Sequence, residues 1–234
     1  MRRGIQIVAG LAIVFAPLPA AAQSGGSSVT FVETFETGGN EGGWSFGNAF
    51  ESITQDGARS GYFLRNVFLD SIAASPATQP GVASVFTGDY RARGVSLVGL
   101  DFRLFRVDFT AQGRDMAVIL INDSGTPQDG FDDCGVYAVG PKALPHPGRV
   151  WKSFDFVVPA ALPVMPPQWS RFGDCGAMTD DEVWNHVITD VDQVRFFGGD
   201  PALIYIFQVW DVGLDNPRIT FADPGTTEPL AARN

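Results

Sequence analysis

The sequence carries little positive charge, and this deficit bears first on its possible partners. Its 234 residues include 16 Lys and Arg against 26 Asp and Glu, which gives a formal net charge of -10 at pH 7. Proteins that bind nucleic acids need clustered Lys and Arg side chains to displace the counterions of the phosphate backbone. The acidic balance therefore disfavours a nucleic-acid partner, whereas it suits solubility outside the cell and metal binding.

Signals of hydrolytic chemistry are also sparse. The sequence has two histidines and no H-E-x-x-H zinc motif, and the E-x-D-x-E strand motif of jelly-roll glucanases is missing. We therefore predict no catalytic residues and a non-catalytic protein. A polysaccharide hydrolase or lyase stays open as the alternative, because the distance between two acting carboxylates cannot be read from a sequence.

One long apolar run is present, close to the first residue. After a short basic start, residues 5–18 are almost unbroken apolar sequence, and small residues at 20–22 precede Gln23. This pattern is typical of a cleavable signal peptide, and the run is shorter than the roughly 20 residues that a membrane span needs. We therefore predict a secreted or periplasmic protein with no membrane span after cleavage.

The composition divides the chain into four segments. Residues 1–22 form the signal peptide, and the Gly/Ser-rich residues 23–28 are predicted to be a flexible leader. Residues 29–222 are enough for one domain, and no repeat or second domain is visible. Residues 223–234 are rich in Pro, Gly and Thr, which predicts a flexible tail.

Cysteine is scarce, with Cys134 and Cys175 as the two in the chain. In an oxidising compartment a lone pair is most simply one disulfide. Both cysteines lie between Asp and Gly, which suggests two loops that meet. A thiol nucleophile or a metal site would need nearby histidine spacing that the sequence lacks, so we predict a Cys134–Cys175 bridge.

Short runs rich in Val, Ile, Phe and Tyr, separated by Gly, Pro, Asn and Asp, indicate β-strands. The alternation is clearest where Leu100, Phe102 and Leu104 are separated by polar residues, and a period of two predicts antiparallel sheet with one wet face. We predict an all-β fold, an antiparallel two-sheet jelly-roll sandwich. The predicted strands are 29–35, 61–67, 82–86, 95–106, 116–121, 135–139, 150–158, 193–197, 203–209 and 218–221.

One short helix is predicted near residues 180–189. Thr179 and Glu182 have the spacing of a capping box, in which the side chain of each residue accepts a hydrogen bond from the backbone N–H of the other. Val183, Trp184 and Val187 follow at helical spacing, so one face of this helix should be buried.

The order of these pieces resembles the laminin B domain (laminin IV type A), above all its bacterial secreted relatives. The resemblance implies a galactose-binding-like jelly roll in an extracellular or envelope setting, and it implies no catalytic residues. It runs in order from about Phe31 to Phe221. The segments that carry it are Gly61–Leu64, Phe86–Tyr90, Gly94, Leu97–Leu104, Val183–Trp184, Val191–Phe196 and Val212–Ile219.

A structural calcium site is predicted at Glu36 and Asp215. In jelly rolls of this kind the first and last strands often pair, which would bring these two carboxylates together. Close carboxylates repel unless a cation lies between them, and Ca²⁺ also accepts backbone carbonyls such as those of residues 38–40. Similar Glu and Asp pairs bind calcium in related sandwiches such as the MAM domain. The alternative is that both are solvated turn residues.

Ligand-binding residues are predicted among aromatic side chains beside polar loops. Sugar binding needs an exposed aromatic ring for stacking, together with carboxylates or amides for the hydroxyl groups. Trp169, Phe131 and Tyr137 have this setting, although any one aromatic residue can instead fill a core. The predicted partner is an extracellular glycan or matrix, with an envelope structural role as a further possibility.

Overall fold

The computed structural model describes residues 28–222 except 60, 110, 112, 127–132 and 149, and it contains two antiparallel six-stranded sheets. The first sheet contains β1 (Ser28–Val32), β3 (Glu51–Thr54), β4 (Phe63–Ser71), β6 (Val95–Val107), β9 (Trp151–Val157) and β12 (Gln208–Ala222). The second sheet contains β2 (Trp44–Ser45), β5 (Ala77–Thr78), β7 (Asp115–Asn122), β8 (Cys134–Ala143), β10 (Trp169–Gly173) and β11 (Gln193–Gly198). The run predicted as a strand at 82–86 is not one, and β2, β3, β5 and β10 were not predicted.

Strands that are distant in sequence are neighbours in both sheets. The first sheet has the order β3-β4-β12-β6-β9, with β1 also paired to β12, and the second has the order β10-β8-β7-β11-β5-β2. The first and last strands of the chain therefore pair, as predicted, with Phe31 opposite Ile219. An all-β, two-sheet antiparallel fold is confirmed.

Alternate residues of β6 and β12 point between the sheets. Leu100, Phe102 and Leu104 are fully buried, and they share the main core with Val212 and Leu214. The period of two predicted from the sequence is therefore realised, and the residues between these positions lie on the outward face of the first sheet. Large side chains that fill the core are Trp44, Phe86, Tyr90, Trp184, Phe196 and Trp210.

The end of the chain forms one long strand where the sequence predicts two. Pro217 lies inside β12 without ending it, because the register with β6 shifts between Asp215 and Arg218 at this point. The Pro217 carbonyl still accepts a hydrogen bond from the Glu33 N–H at 2.8 Å. Proline has no backbone N–H, so a strand tolerates it at a position that donates no hydrogen bond to a neighbouring strand.

Residues 203–207 are a loop, although the sequence predicts a strand from 203. The paired part of β12 begins with Gln208 opposite Ser71, the last residue of β4. Ile204 is 98% exposed and Phe207 is 69% exposed. The segment has strand propensity but pairs with no described strand, so most of its apolar side chains remain in solvent.

The predicted helix is present as α1 (Asp180–Ile188), with Thr179 as its N-cap. The Glu182 N–H donates to the Thr179 hydroxyl, and the Glu182 carboxylate accepts from the Thr179 N–H at 2.7 Å, which completes the capping box. The Val183 and Trp184 side chains are fully buried against the sandwich.

A disulfide joins Cys134 and Cys175, which confirms the predicted bridge. Cys134 begins β8, and its register partner in β10 is Gly173, two residues before Cys175. The bridge therefore ties the edge strand β10 and its exit to β8. The predicted signal peptide, leader and tail lie outside the described residues, apart from Ser28. No described helix is long and apolar enough to cross a membrane.

Candidate functional site

Trp169 does not offer a stacking surface, contrary to the prediction. It is 3% exposed, and its ring lies 5.3 Å from the ring of Trp184 in the main core. Its Nε1–H is buried and has no acceptor among the described residues. A sugar cannot reach a ring that is enclosed between a sheet and a helix, so Trp169 is a core residue.

The other two aromatic residues predicted for the sugar site are Tyr137 and Phe131. Tyr137 is half-buried in β8, opposite Ile119 of β7 and Ser170 of β10. Phe131 lies outside the described residues.

Glu36 lies near enough to Asp215 for its negative charge to act on that carboxyl, and the calcium site predicted at these two residues stays a prediction. The Glu36 carboxylate lies against Gly61, where a Cβ would overlap it, and the Gly61 φ of +67° also favours glycine. Asp215 is 5% exposed. Burial is the main cause that raises the pKa of Asp215 to about 6, and the negative charges of Asp101 and Glu36 act in the same direction.

Asp101 is the cross-strand neighbour of Asp215, and its charge is held by fixed partners. Its Oδ1 accepts from the Ser153 hydroxyl at 2.6 Å and from Arg218 Nη1 at 3.2 Å. Its Oδ2 accepts from Asn216 Nδ2 at 3.1 Å. The two neighbouring carboxyl groups therefore differ in their surroundings, because Asp101 accepts hydrogen bonds from three side chains while burial favours protonation of Asp215.

The described residues contain no group of three or more His, Cys, Asp or Glu side chains arranged to hold a metal ion. Glu36 and Asp215 are therefore a two-carboxylate pair, and a Ca²⁺ ion there would take its other oxygens from backbone carbonyls. Arg59 supplies a positive charge that lowers the pKa of Asp215, so it competes with a cation for this place.

Gly43–Gly47 matches the G-x-S-x-G pattern of nucleophile elbows, but its surroundings do not. Ser45 lies in β2, and its hydroxyl donates to the Glu51 carboxylate at 2.7 Å and accepts from the Gly47 N–H. A nucleophile elbow needs a strand-to-helix turn and a histidine base. β2 is followed by β3, and both histidines of the chain, His146 and His186, are exposed.

Three aromatic residues form a second layer on the outward face of the first sheet, in which Phe63 and Trp151 are buried and Phe105 is half-buried. We call Phe63, Phe105 and Trp151 the aromatic cluster. The Phe63 ring lies 5.8 Å from Phe105, nearly parallel to it, and 5.1 Å from Trp151, edge to face. Gly213 of β12 lies beneath them, where a Cβ would be 2.8 Å from the Phe63 ring and 2.9 Å from Trp151. This layer is separate from the main core.

Residues Gln55–Arg59, here called the strap, cover the aromatic cluster. The Gly57 carbonyl accepts hydrogen bonds from Arg103 Nη1 and from Trp151 Nε1. Arg59 donates to the Trp151 carbonyl at 3.5 Å. Gly57 has a φ of +95°, and a Cβ there would lie 2.6 Å from the Phe105 ring. Glycine is therefore needed for the strap to lie this close to the rings.

A cavity of about 460 Å³ opens beside the strap. Arg65 forms a bidentate pair with Asp211 at 2.9 Å, and its Nη1 donates to the Asp56 carboxylate at 2.8 Å. These bonds, chiefly that to Asp211, raise the pKa of the Arg65 guanidinium. The residues that line the cavity are Asp56, Gly57, Ala58, Arg65, Arg103 and Phe105.

Both arginines of the cavity also pack on Phe105. Their guanidinium carbons lie 4.2 Å (Arg65) and 4.0 Å (Arg103) from the ring centroid, within cation–π range. Sequence reasoning did not identify these residues as a site. The signal available was the polar face of β6, where Asp101 and Arg103 alternate with core residues, but the strands that complete the site cannot be inferred from it.

Comparisons with known proteins give distant structural likenesses. No family model matches the chain, and no curated protein matches it. Its fold is similar to the L4b domain of human laminin alpha-2, at 9% identity and a TM-score of 0.37 over 88% of this chain and 96% of that one. It is also similar to a conserved carbohydrate esterase from the Shiga toxin-encoding bacteriophage phi24B, at 12% identity and a TM-score of 0.37 over 82% of this chain and 100% of that one.

A third likeness is to CBM28, a carbohydrate-binding module specific for non-crystalline cellulose. The identity is 13% and the TM-score is 0.28, over 81% of this chain and 88% of that one. The laminin-type likeness noted in the sequence thus recurs among solved structures. With TM-scores below 0.5, the function of this chain has to be argued from its own residues.

Proposed function

We propose that this protein is a secreted, non-catalytic β-sandwich module that binds a glycan on the outward face of its first sheet. The observation that carries the proposal is the cavity beside the strap, which is lined by the Phe105 ring, the Arg65 and Arg103 guanidinium groups and the Asp56 carboxylate. Concave sites with an aromatic wall and a few placed polar groups are typical of small-ligand binding. A planar guanidinium or carboxylate group can form hydrogen bonds with two neighbouring hydroxyl groups of a sugar at once.

The charge pattern favours a neutral glycan. Arg65 is hydrogen-bonded to Asp211 and Asp56, and Arg103 to the Gly57 and Gly148 carbonyls. An anionic sugar would meet the negative charges of Asp56 and Asp211, which already balance the charge of Arg65. A neutral sugar can instead add hydroxyl donors to the carboxylate oxygens, which accept several hydrogen bonds each.

Export is supported by two independent features. The first 22 residues have the pattern of a cleavable signal, and the disulfide is a feature of oxidising compartments. Both fit release to the outside and retention in a periplasm. A glycan or matrix partner would be met in either place.

A glycan array probed with the protein lacking residues 1–22 tests the proposal. We expect binding to neutral oligosaccharides, and we expect Arg65→Ala to abolish it. Arg106→Ala is the matched control, because Arg106 is an exposed arginine of β6 paired only to nearby Asp108 among the described ion pairs. A blank array, or equal binding by both variants, would contradict the proposal and favour a structural role in an envelope or matrix.

We also propose that Glu36 and Asp215 hold a structural Ca²⁺ ion, completed by backbone carbonyls. The support is that the negative charges of Glu36 and Asp101 both act on the buried Asp215 carboxyl and disfavour its ionised form, a repulsion that a cation would relieve. Added calcium should raise the melting temperature and chelation should lower it by several degrees, since a ligand of the folded state stabilises it. Glu36→Gln should remove this response, whereas Glu41→Gln, an exposed neighbour, should keep it. An unchanged melting temperature after chelation of the wild-type protein would contradict the site.

Cleavage of a polysaccharide, as by a hydrolase or a lyase, is the second candidate function. It is favoured by the cross-strand neighbours Asp215 and Asp101, because burial raises the pKa of Asp215 to about 6, nearer to the working pH of a general acid. Release of reducing ends from the glycans bound on the array, lost in Asp215→Asn while binding persists, would establish it. Binding without any release favours the non-catalytic module.

A further inference from the structure

A bulge in β4 turns two consecutive apolar side chains to the outward face of the first sheet. The register between β12 and β4 shifts beside Asp211, so that Val67 and Phe68 together occupy the place of one residue. Asn66 and Leu69, which flank them, are buried, whereas Val67 and Phe68 are both exposed. Regular alternation would expose only one side chain of this pair, and bulges that re-aim side chains are common next to functional sites.

Phe50, Val67 and Phe68 are here called the apolar patch. Phe50 lies directly before β3, and its ring centroid is 5.3 Å from that of Phe68. The three side chains are 54%, 50% and 47% exposed, in that order. Adjacent exposed apolar side chains with polar surroundings mark binding surfaces, but a stable interface between proteins takes about 800 Å² on each partner. Three side chains are too few for that area, so the patch suits a small ligand.

Two asparagine side chains fix the backbone that carries the apolar patch. The Asn48 amide accepts from the Phe50 N–H at 2.9 Å and donates to the Phe68 carbonyl at 3.1 Å. Asn66 is fully buried, its Nδ2 donates to Asn48 Oδ1 at 2.6 Å, and its Oδ1 accepts from the Phe68 N–H at 3.1 Å. The Phe50 carbonyl accepts from the Val67 N–H at 3.2 Å. A surface whose backbone is already held in place loses less conformational entropy when a ligand binds.

The apolar patch adjoins the cavity beside the strap. Arg65, which lines the cavity, precedes Val67 by two residues in β4, so both side chains lie on the outward face. Asp211, the residue opposite the bulge, forms the bidentate pair with Arg65. Ser52 of β3 is exposed and is the register partner of Arg65, so it adds a hydroxyl group between the strap and the patch. From the usual rise of a strand, Phe68 lies about 10 Å along β4 from Arg65, which is further than one sugar ring extends.

We propose that the apolar patch is a second sugar subsite, so that the ligand is an oligosaccharide with one unit in the cavity and a following unit on the patch. This rests on the proposed function of the same face. The charged groups of the cavity bind hydroxyl groups, whereas the patch packs against the apolar C–H face of a sugar. The planes of Phe50 and Phe68 are inclined at 60°, so one ring stacks on the sugar while the other borders it. Sugars whose hydroxyl groups are all equatorial have the most apolar faces, so the ligand class is a glucose or xylose chain.

Titration calorimetry of the chain without residues 1–22 tests the subsite. The probes are the hexasaccharides of glucose, xylose, mannose and galactose, with the monosaccharide and disaccharide of each. We expect the glucose or the xylose hexasaccharide to bind tightest, and affinity to rise with chain length. The Phe50→Ala, Phe68→Ala double variant should lose about tenfold in hexasaccharide affinity and keep the monosaccharide affinity, because the cavity is unchanged. Tightest binding of the mannose or galactose hexasaccharide would overturn the ligand class.

Two further variants separate contact with the ligand from a general effect of exposed rings. Phe68→Tyr keeps the ring and should bind the hexasaccharide as the wild type does. The Phe109→Ala, Phe207→Ala double variant is the matched control, because it removes two exposed phenylalanines from the loops after β6 and before β12. Its hexasaccharide affinity should equal that of the wild type.

Failure of the subsite is distinguishable from failure of the proposed function. Wild-type hexasaccharide affinity in the folded Phe50→Ala, Phe68→Ala variant, together with loss of binding in Arg65→Ala, would overturn the subsite and leave the cavity as the binding site. Equal losses in the two double variants would also overturn the subsite. If the Phe50→Ala, Phe68→Ala variant shows no unfolding transition, Phe68→Ala alone decides by the same comparison. No hexasaccharide binding by the wild type would overturn the proposed function together with the subsite.

Discussion

Two tryptophans of this chain show how position on a sheet decides what a residue can do. Trp169 points into the core beside Trp184, whereas Trp151 points outward from β9 onto Phe63. The first ring has no path to solvent. The second is separated from solvent by the strap, which is bonded to its Nε1. A single tryptophan in a sequence gives no indication of which face it will occupy until its strand register is known.

Substitution of each tryptophan by alanine should separate stability from binding. Trp169→Ala removes a large core side chain, and we expect a loss of about 3–5 kcal/mol in the free energy of unfolding with unchanged glycan affinity. Trp151→Ala should weaken glycan binding, because it removes the Nε1–H that holds the carbonyl of Gly57 in the wall of the cavity. Denaturant unfolding and titration calorimetry measure the two effects. Loss of binding in folded Trp169→Ala would contradict the assignment of Trp169 to the core.

Asp215 should make the protein less stable as the pH rises. Its pKa in the fold is about 6 against an ordinary 3.8, so the folded state holds a proton that the unfolded state releases between these values. The stabilisation is fully present below pH 3.8 and is lost as the pH rises through about 6. In calcium-free buffer, Asp215→Asn should therefore raise the melting temperature above pH 6 and have little effect at the acid end.

The melting temperatures of wild type and Asp215→Asn across this range check the sign. Asp70→Asn is a control, because Asp70 is an exposed aspartate of β4. A variant that gains stability equally at all pH values would show that the buried carboxylate is not the cause.

At the scale of elements, the disulfide fixes the edge of the second sheet. β10 is an edge strand paired to β8 alone, and the bridge closes a separation of 41 residues in the chain. In the chain-entropy model a loop of this length contributes about 4 kcal/mol. Reduction should lower the free energy of unfolding by about this amount, and the Cys134→Ser, Cys175→Ser double variant should match the reduced protein. Free thiols in the oxidised protein, found by mass spectrometry, would contradict the bridge.

The elements that were predictable are those whose signal lies within a few adjacent residues. The alternation at Leu100–Leu104 gave β6, the Thr179–Glu182 spacing gave α1, and a lone cysteine pair gave the bridge. Residues 203–207 have equally good strand composition but form a loop. Composition reports what a strand would favour, whereas pairing depends on neighbours that come from distant parts of the chain.

The candidate site was not predictable for the same reason. Arg65, Phe105 and Trp151 come from three strands, and the strap adds Asp56 and Gly57 from a loop. Each is ordinary in its own stretch of sequence. The pairing of the first and last described strands was within reach because it needed one inference, and that inference is correct. The calcium site that it suggested at Glu36 and Asp215 stays a prediction.

At the scale of the whole molecule, net charge and exposed apolar surface have opposite effects on association between copies of the protein. The chain carries a net charge of -10 at pH 7, which keeps copies apart. Residues 203–207 expose a run of apolar side chains, with Ile204 at 98% and Phe207 at 69% exposure. A contiguous apolar patch promotes association once repulsion is removed. The isoelectric point of about 4.5 sets the pH at which this happens.

Light scattering between pH 7 and the isoelectric point of 4.5 should therefore show growing association of the wild-type protein. The Ile204→Ser, Phe207→Ser double variant has the same net charge and should remain monodisperse to a lower pH. The Phe50→Ser, Val67→Ser double variant is the control, because it also removes two exposed apolar side chains, at 54% and 50% exposure, from another place. If both double variants associate as the wild type does, loss of charge alone drives association. If only the first is protected, the loop before β12 is the adhesive surface, because the control removes comparable apolar area without effect.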